Sequence, residues 1–279
     1  MGTAEPSGRV LALGPAEFEQ IRKLAYRTCG LDLKAGKEDL VNARLLRLVK
    51  SGGYRSFAEY CRSVVEDRTG MALGHMIDAL TTNHTSFLRE PEHFQFLRAH
   101  AAELARHRGG LEIWSAGCST GEEVWSLACL FDEILPHMPV RIWGTDISNK
   151  SLVVAEAAVY SAERCHELPL AWLARYFVAE GAAARHYRAS AALRERVVFR
   201  RLNLMERPGW ARTFTVIFCR NVMIYFDRPT QEAVVRRLEE ALEPGGYLCI
   251  GHAESLARVS HSLEYVQPAV FRRPVARGT

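Results

Sequence analysis

Apolar residues recur at helical spacing through the first eighty residues of the chain. The stretch PAEFEQIRKLAYRTCG, residues 15–30, spaces its apolar positions three and four apart and closes on Gly30, as amphipathic helices commonly do. Helical patterns continue in KEDLVNARLLRLVKSGG, SFAEYCRSVVED and GMALGHMIDALTT. The sequence therefore predicts a flexible N-terminus at residues 1–14 and a small all-helical domain over residues 15–80.

The pattern changes near residue 111, where short apolar runs begin to alternate with amphipathic segments. The runs predicted as strands are LEIWSAG, VRIWGTDIS, RVVFRRLNL, FTVIFCRNV and GYLCIGH. Strands that alternate with helices favour a parallel sheet covered on both faces. We expect an α/β domain over residues 93–279, with LEYVQPAVFRR as a closing hairpin and an insertion at about residues 162–195. The helix NKSLVVAEAAVY is expected before that insertion.

Composition places the chain among ordinary globular proteins and favours the cytoplasm. The net charge of +4 over 279 residues is too mild to imply a nucleic-acid partner. No run of 18 apolar residues occurs, so no membrane insertion is expected. The seven cysteines are odd in number and form no CxxC pair, which is typical of buried free thiols in a reducing compartment.

A glycine-rich turn follows the first predicted strand, in the residues SAGCSTGEE at 115–123. Small residues at such a turn let a ligand approach the backbone closely. The second strand ends in Asp146, and an acid at that place can accept hydrogen bonds from both hydroxyls of a ribose. The spacing indicates a site for a nucleoside.

The same turn argues against a dinucleotide. GxGxxG is absent, and Glu122 and Glu123 occupy the first helical turn, where they would repel a pyrophosphate. Two glutamates suit a ligand with a positive group, such as S-adenosylmethionine, which carries an ammonium and a sulfonium. We expect Glu123 to face the ligand and Glu122 to complement the helix dipole.

Two further stretches hold unusually dense polar chemistry. IFCRNVMIYFD, residues 217–227, ends the fourth strand with Arg220 and Asn221, and ligands bind at the carboxyl ends of strands in open α/β sheets. TTNHTSFLREPEHF, residues 81–94, links the two predicted domains. We interpret residues 81–92 as a linker that also contributes to an active site.

These stretches resemble one family in order and spacing. The motifs TTNHTSFLRE, SAGCSTGEE, GTDIS, LNL, FCRNVMIYFD and LEPGGYLCIGHAES are similar to those of the chemotaxis receptor glutamate methyltransferases of the CheR type, over residues 15–272. The resemblance implies a helical receptor-docking domain and a Rossmann-like, S-adenosylmethionine-dependent methyltransferase domain with a small inserted β subdomain. It implies glutamate methyl esters on the cytoplasmic helices of chemoreceptors, with S-adenosylhomocysteine as the second product.

The resemblance also assigns residues by motif position. Arg89 and Tyr225 are expected to be catalytic, with Tyr225 beside the transferred methyl group. The residues expected to contact the cofactor are Asn83, Thr85, Arg89, Glu123, Asp146, Asn203, Leu204, Arg220 and Asn221.

For this reaction the protein has mainly to align the glutamate carboxylate with the methyl group of the cofactor. The sulfonium makes the methyl group electrophilic, and a glutamate carboxylate is already ionised at neutral pH, so no general base is needed. No metal is expected, because His84, His93 and His252 are not spaced as ligands.

The second predicted helix carries a basic stripe formed by Arg44, Arg47 and Lys50. Such a stripe is usually a solvated face, but an acidic receptor helix would dock on it. Some members of the family tether a receptor tail through a Gly-x-Gly loop of the β subdomain. This chain has only Gly181 in VAEGAAARHYRA, so we expect methylation without tethering, by a monomer.

Two other functions compete with this interpretation. A signalling module could hold S-adenosylmethionine without turnover, and a nicotinamide-dependent dehydrogenase could share the broad fold. The filled motif positions disfavour the first, and the missing GxGxxG with the paired glutamates disfavours the second.

Overall fold

The computed structural model of the protein describes residues 11–106, 109–181, 185–210 and 212–275. The chain divides into two compact units, Met1–Thr82 and Asn83–Thr279. Most of the expected flexible N-terminus, residues 1–10, lies outside the described residues. Among the described residues, no helix is both long enough and apolar enough to cross a membrane.

The described part of the first unit is built from helices, as its apolar spacing predicts. Gly30 ends the first helix in the left-handed conformation at φ 73°, and the Ser56 side chain caps the third by accepting from the Glu59 amide. Val41, Leu45 and Val49 form the buried stripe of the second helix. The helices are α1 Pro15–Cys29, α2 Glu38–Ser51, α3 Phe57–Glu66 and α4 Met71–Leu80.

The second unit contains a seven-stranded sheet in the order β6-β2-β1-β7-β8-β10-β9. The first five strands in that order are parallel, and the last two form the expected closing hairpin. The strands are β1 Leu111–Ala116, β2 Val140–Asp146, β6 Val197–Arg201, β7 Phe214–Cys219, β8 Leu242–Ile250, β9 Glu264–Gln267 and β10 Val270–Arg272.

Helices cover both faces of this sheet. Side chains alternate along each strand, so neighbouring apolar residues face opposite helical layers. Ile113 packs in one hydrophobic cluster with residues of α7, and Trp114 packs in the other with residues of α11. The helices of this unit are α5 Pro91–Ala99, α6 Ala101–Leu104, α7 Glu122–Ile134, α8 Asn149–Ala157, α9 Leu170–Tyr176, α10 Ala191–Arg194 and α11 Arg228–Ala241, with a short 3-10 helix at Met223–Tyr225.

The insertion forms its own three-stranded antiparallel sheet, in the order β3-β5-β4. Its strands are β3 Val159–Ser161, β4 Phe177–Glu180 and β5 His186–Ala189. The prediction that helix continues through Tyr160 is wrong. Ala158 takes a left-handed conformation at φ 55°, which ends α8, and Val159 and Tyr160 pair with Arg188 and Tyr187 of β5.

All seven cysteines are buried free thiols, as the sequence predicts. Burial raises the pKa of Cys118, the cysteine of the glycine-rich turn, well above its ordinary value. Since the thiolate is the reactive form, Cys118 is poorly suited to act as a nucleophile.

Candidate functional site

The order of strands reverses between β1 and β7, and the predicted polar residues gather beside that reversal. Strands β2 and β7 flank β1 on its two sides, so their carboxyl ends open on the same edge of the sheet. Ligands of open α/β sheets bind in the crevice that such a reversal leaves. Asp146 ends β2, and Arg220 directly follows β7.

The glycine-rich turn is tied to the end of β2. The amides of Gly117 and Cys118 donate to the Thr145 carbonyl at 2.7 and 2.8 Å, and the Ser119 amide donates to Asp146 Oδ2 at 2.8 Å. Gly117 has φ 85°, and a β carbon there would lie 2.4 Å from Val222 Cγ2. Only glycine therefore lets this turn approach the segment that follows β7.

Asp146 is suited to hold a ribose. Its side chain also accepts from the Ser148 amide at 2.8 Å, so both carboxylate oxygens are fixed in direction. A carboxylate held in one direction at this strand end can accept hydrogen bonds from the two hydroxyls of a ribose. Asn203 and Leu204 lie two and three residues after Arg201, the last residue of β6, which pairs with Asp146.

Arg220 lies between two carboxylates. Its Nε is 3.5 Å from Glu90 Oε2 and 3.6 Å from Glu123 Oε2, and its side chain is 1% exposed. Burial raises the pKa of Glu123, against the lowering effects of Arg220 and the Ser115 hydroxyl, which donates to Glu123 Oε1 at 2.7 Å. Burial also pushes the pKa of Glu90 up, but Arg220, Asn221 and His252 hold it below its ordinary value.

The burial of Arg220 changes the expectation that its side chain contacts the cofactor directly. Its guanidinium lies over the rings of Phe94 and Phe218, at 5.9 and 5.5 Å from the centroids, and its Nη2 donates to the Arg89 carbonyl. Arg220 is therefore placed to position Glu123 and the Arg89 segment more than to present its own charge to a ligand.

The segment 83–90 is held at several points. The Ser119 hydroxyl donates to the Asn83 carbonyl at 3.0 Å, and the Leu88 amide donates to the Ser126 hydroxyl at 3.0 Å. Arg89 Nη1 donates to the His84 carbonyl at 3.0 Å. Pro91 begins α5, as predicted. The segment is therefore a fixed wall of the strand-end crevice.

Glu254 organises the segment after β7, a role that the sequence did not reveal. Its Oε2 accepts from the amides of Asn221 and Gly251 at 3.0 and 2.6 Å, and its Oε1 from those of Met223 and Ile224 at 2.7 and 3.3 Å. Burial raises its pKa, and these N–H groups oppose the rise. The carboxylate thereby fixes the short 3-10 helix that ends in half-buried Tyr225.

His93 and His252 come together with Glu90, contrary to the expectation from their spacing. Their ligand atoms lie within 4.8 Å of one another, and the His93 ring is fully buried. Burial and Arg220 lower the pKa of His93 to about 4. The Arg220 guanidinium beside the Glu90 carboxylate disfavours a second cation there. We therefore still predict that Glu90, His93 and His252 hold no metal ion.

The structure thus groups most of the expected site residues and adds others. Glu90 is a site residue that the sequence analysis did not single out, although it directly follows Arg89 in the motif TTNHTSFLRE. Ser115 and Glu254 also lie inside quoted motifs, but their partners are distant in sequence. Glu122 is fully buried and ion-paired with Arg164 of the insertion, a contact that the helix-dipole interpretation did not include.

Comparison with known proteins defines the class. The family model described as "CheR methyltransferase, SAM binding domain" matches residues 83–271, and that described as "CheR methyltransferase, all-alpha domain" matches residues 16–81. The fold and the strand-end crevice are therefore those of an S-adenosylmethionine-dependent methyltransferase.

Curated relatives specify the family further. A chemotaxis protein methyltransferase of Borreliella burgdorferi is 34% identical, covering 92% of this chain and 94% of the relative. Chemotaxis protein methyltransferase 2 of Pseudomonas aeruginosa is 40% identical, covering 91% and 92%. The enzyme of Escherichia coli is 36% identical, covering 89% and 87%. The chain belongs to the CheR family of chemotaxis methyltransferases.

Replacement of Glu254 by glutamine should weaken both folding and cofactor binding. An amide cannot accept four N–H groups, so at least one buried donor loses its partner, at about 1–3 kcal/mol. We expect a lower melting temperature by scanning calorimetry and weaker S-adenosylhomocysteine binding by titration calorimetry. Glu264→Gln, at an exposed position of β9, is the matched control. Equal behaviour of the two variants would show that Glu254 has no organising role.

Proposed function

We propose that this methyltransferase transfers the methyl group of S-adenosylmethionine to glutamate side chains in the cytoplasmic helices of chemoreceptors. The products are glutamate methyl esters and S-adenosylhomocysteine. The names of the relatives support a role in chemotaxis. The observation that carries the proposal is the contact of Arg220 with the Arg89 carbonyl, because it ties the segment of Arg89 to the strand end that leads to Tyr225.

The residues of the crevice fit the cofactor. Asp146 offers fixed acceptors to ribose hydroxyls, and Glu123 offers a carboxylate to the ammonium group. We assign Asn83, Thr85, Asn203, Leu204 and Asn221 to the same pocket, with Arg220 holding Glu123 in place. When bound, the cofactor supplies an electrophilic methyl group.

The protein's own part in the reaction is alignment of the nucleophile. The substrate carboxylate is ionised at neutral pH, so the chain has no proton to remove. Arg89 would pair with a carboxylate, and Tyr225 would donate a hydrogen bond or offer its ring face to the sulfonium. Partial exclusion of water would make the carboxylate a better nucleophile.

Transfer of a labelled methyl group tests this function and its competitor. The protein is incubated with methyl-labelled S-adenosylmethionine and a cytoplasmic receptor fragment, and we expect base-labile label on the fragment. Peptide mass spectrometry then maps the esters to glutamates. Cofactor binding without any transfer would instead favour a signalling module.

Arg89 provides a sharper form of the same assay. We expect Arg89→Ala to lower the rate of methyl transfer roughly a hundredfold, as misalignment of reacting groups does, while the protein stays folded. Arg98→Ala is the control, because Arg98 pairs with Glu133 at a distance from the crevice. Normal methylation by Arg89→Ala would rule out a catalytic role.

The basic stripe of α2 is proposed as the receptor-docking surface, with a change from the sequence expectation. Arg44 donates to the Leu80 carbonyl and, at 2.7 Å, to the Thr82 hydroxyl, so it is committed to the end of α4. Arg47 and Lys50 are exposed and line one shallow depression with Ala43 and Leu46. Docking of an acidic helix therefore depends mainly on Arg47 and Lys50.

Charge reversal at both positions tests docking. Arg47→Glu with Lys50→Glu should raise the KM for the receptor fragment about tenfold at low salt, since steering by complementary charge is lost, and should leave cofactor affinity unchanged. Arg62→Glu with Arg68→Glu, at exposed positions of the same unit, is the control. An equal loss of cofactor affinity would count against a docking surface.

We further propose that the enzyme acts in the cytoplasm, as a monomer and without tethering of a receptor tail. The last point rests on Gly181, which lacks a second glycine two residues away. Titration calorimetry with a receptor C-terminal peptide should show no binding at micromolar concentrations. Tight binding of that peptide would overturn the proposal.

A further inference from the structure

The inserted β subdomain reaches the glycine-rich turn through one arginine. Arg164, which follows β3, donates from Nη2 to the Thr120 hydroxyl at 2.7 Å and forms an ion pair with Glu122. The Thr120 hydroxyl in turn donates to Glu122 Oε2 at 2.7 Å. These three residues form a closed polar network between the insertion and the start of α7.

Glu122 needs this partner because its side chain is fully buried. A buried carboxylate that loses its positive partner is left as an uncompensated charge. Arg164 itself is 38% exposed, so it belongs to the rim of the network. The conformation of the turn therefore depends on a residue that lies outside the parallel sheet.

Tyr160 of β3 makes a second connection to the same turn. Its hydroxyl donates to the Thr120 carbonyl at 2.7 Å, and the Arg164 guanidinium lies 5.1 Å from the centre of its ring. Gly121 has φ 93°, and a β carbon there would lie 3.0 Å from the Tyr160 hydroxyl. The insertion and the glycine-rich turn are therefore in direct contact at Thr120 and Gly121.

The insertion also contacts the other wall of the crevice. Phe87, in the segment 83–90, is fully buried and meets the rings of Tyr160 and Phe177 edge-on, with centroids 5.0 and 5.8 Å apart. Edge-to-face contacts of this kind are favourable and directional. One subdomain therefore supports both the turn and the segment that carries Arg89.

We propose that the β subdomain positions the cofactor site, with Arg164 and Tyr160 as positioning residues for the glycine-rich turn. The role is separate from any binding of a receptor tail, and it rests on the cofactor alone, whatever the methyl acceptor. Loss of either contact should weaken cofactor binding while leaving the interaction with the receptor unchanged.

The first test replaces Arg164 by methionine, which keeps the length of the side chain and removes its charge. We expect the Kd for S-adenosylhomocysteine to rise about fivefold or more, and the KM for the receptor fragment at saturating cofactor to stay within twofold. Arg164→Lys should recover part of the affinity. Arg188→Met is the matched control, because Arg188 is also 38% exposed and pairs within the subdomain with Glu180.

If Arg164 only stabilised the subdomain, Arg164→Met and Arg188→Met would change the Kd for S-adenosylhomocysteine to the same extent. Equal rises of Kd in Arg164→Met and Arg188→Met would overturn the proposal, as would an unchanged Kd in a folded Arg164→Met protein. The double variant Arg164→Met with Glu122→Gln removes the stranded charge as well, so we expect it to bind more tightly than Arg164→Met alone.

The second test uses a milder substitution, which serves if the Arg164→Met protein does not fold. Tyr160→Phe removes only the hydroxyl that donates to Thr120, and we expect the Kd to rise about threefold. Tyr247→Phe is its control, since that buried hydroxyl donates to Glu103 at 2.9 Å, away from the turn. A Tyr160→Phe protein with the Kd of the unmodified enzyme would contradict the proposal.

Discussion

The buried guanidinium of Arg220, shared by Glu90 and Glu123, is the interaction on which the rest of the site depends. It joins three parts of the chain that are distant in sequence: the end of β7, the first turn of α7 and the segment before α5. A charge buried to this degree is tolerated only when opposite charges and hydrogen bonds surround it. In the same arrangement two carboxylates share one guanidinium, which suits a cofactor with an ammonium and a sulfonium.

Unfavourable backbone conformations cluster around this charge network. Leu88, Glu90, Ser119 and Asn221 all have positive φ, between 51° and 57°, although none is glycine. Such conformations persist where the surroundings over-determine them. Here the constraints are visible: the Ser126 hydroxyl holds the Leu88 amide, Asp146 holds that of Ser119, and Glu254 holds that of Asn221.

The elements and the motif residues could be predicted from sequence because their signals are local. The helical spacing of apolar residues and a closing glycine predicted helices such as α1, and short apolar runs predicted β1, β2 and β7. The features that local signals do not predict are those that a partner distant in sequence decides. Val159 and Tyr160 continue a helical pattern but pair with β5, and Arg44 belongs by spacing to a basic stripe but is bound to the end of α4. The ion pair of Glu122 with Arg164 and the meeting of His93 with His252 have no local signal at all.

The pairing of Glu122 with Arg164 limits how the β subdomain can be exchanged among relatives. A transplanted subdomain would bring its own strands and loops, yet it would fit only if it also supplied a cation opposite Glu122. A workable chimaera must therefore take its junction outside Arg164, or change Glu122 together with the insert. The subdomain and the turn are joined by these contacts, although the contacting residues lie 40 and 44 positions apart along the chain.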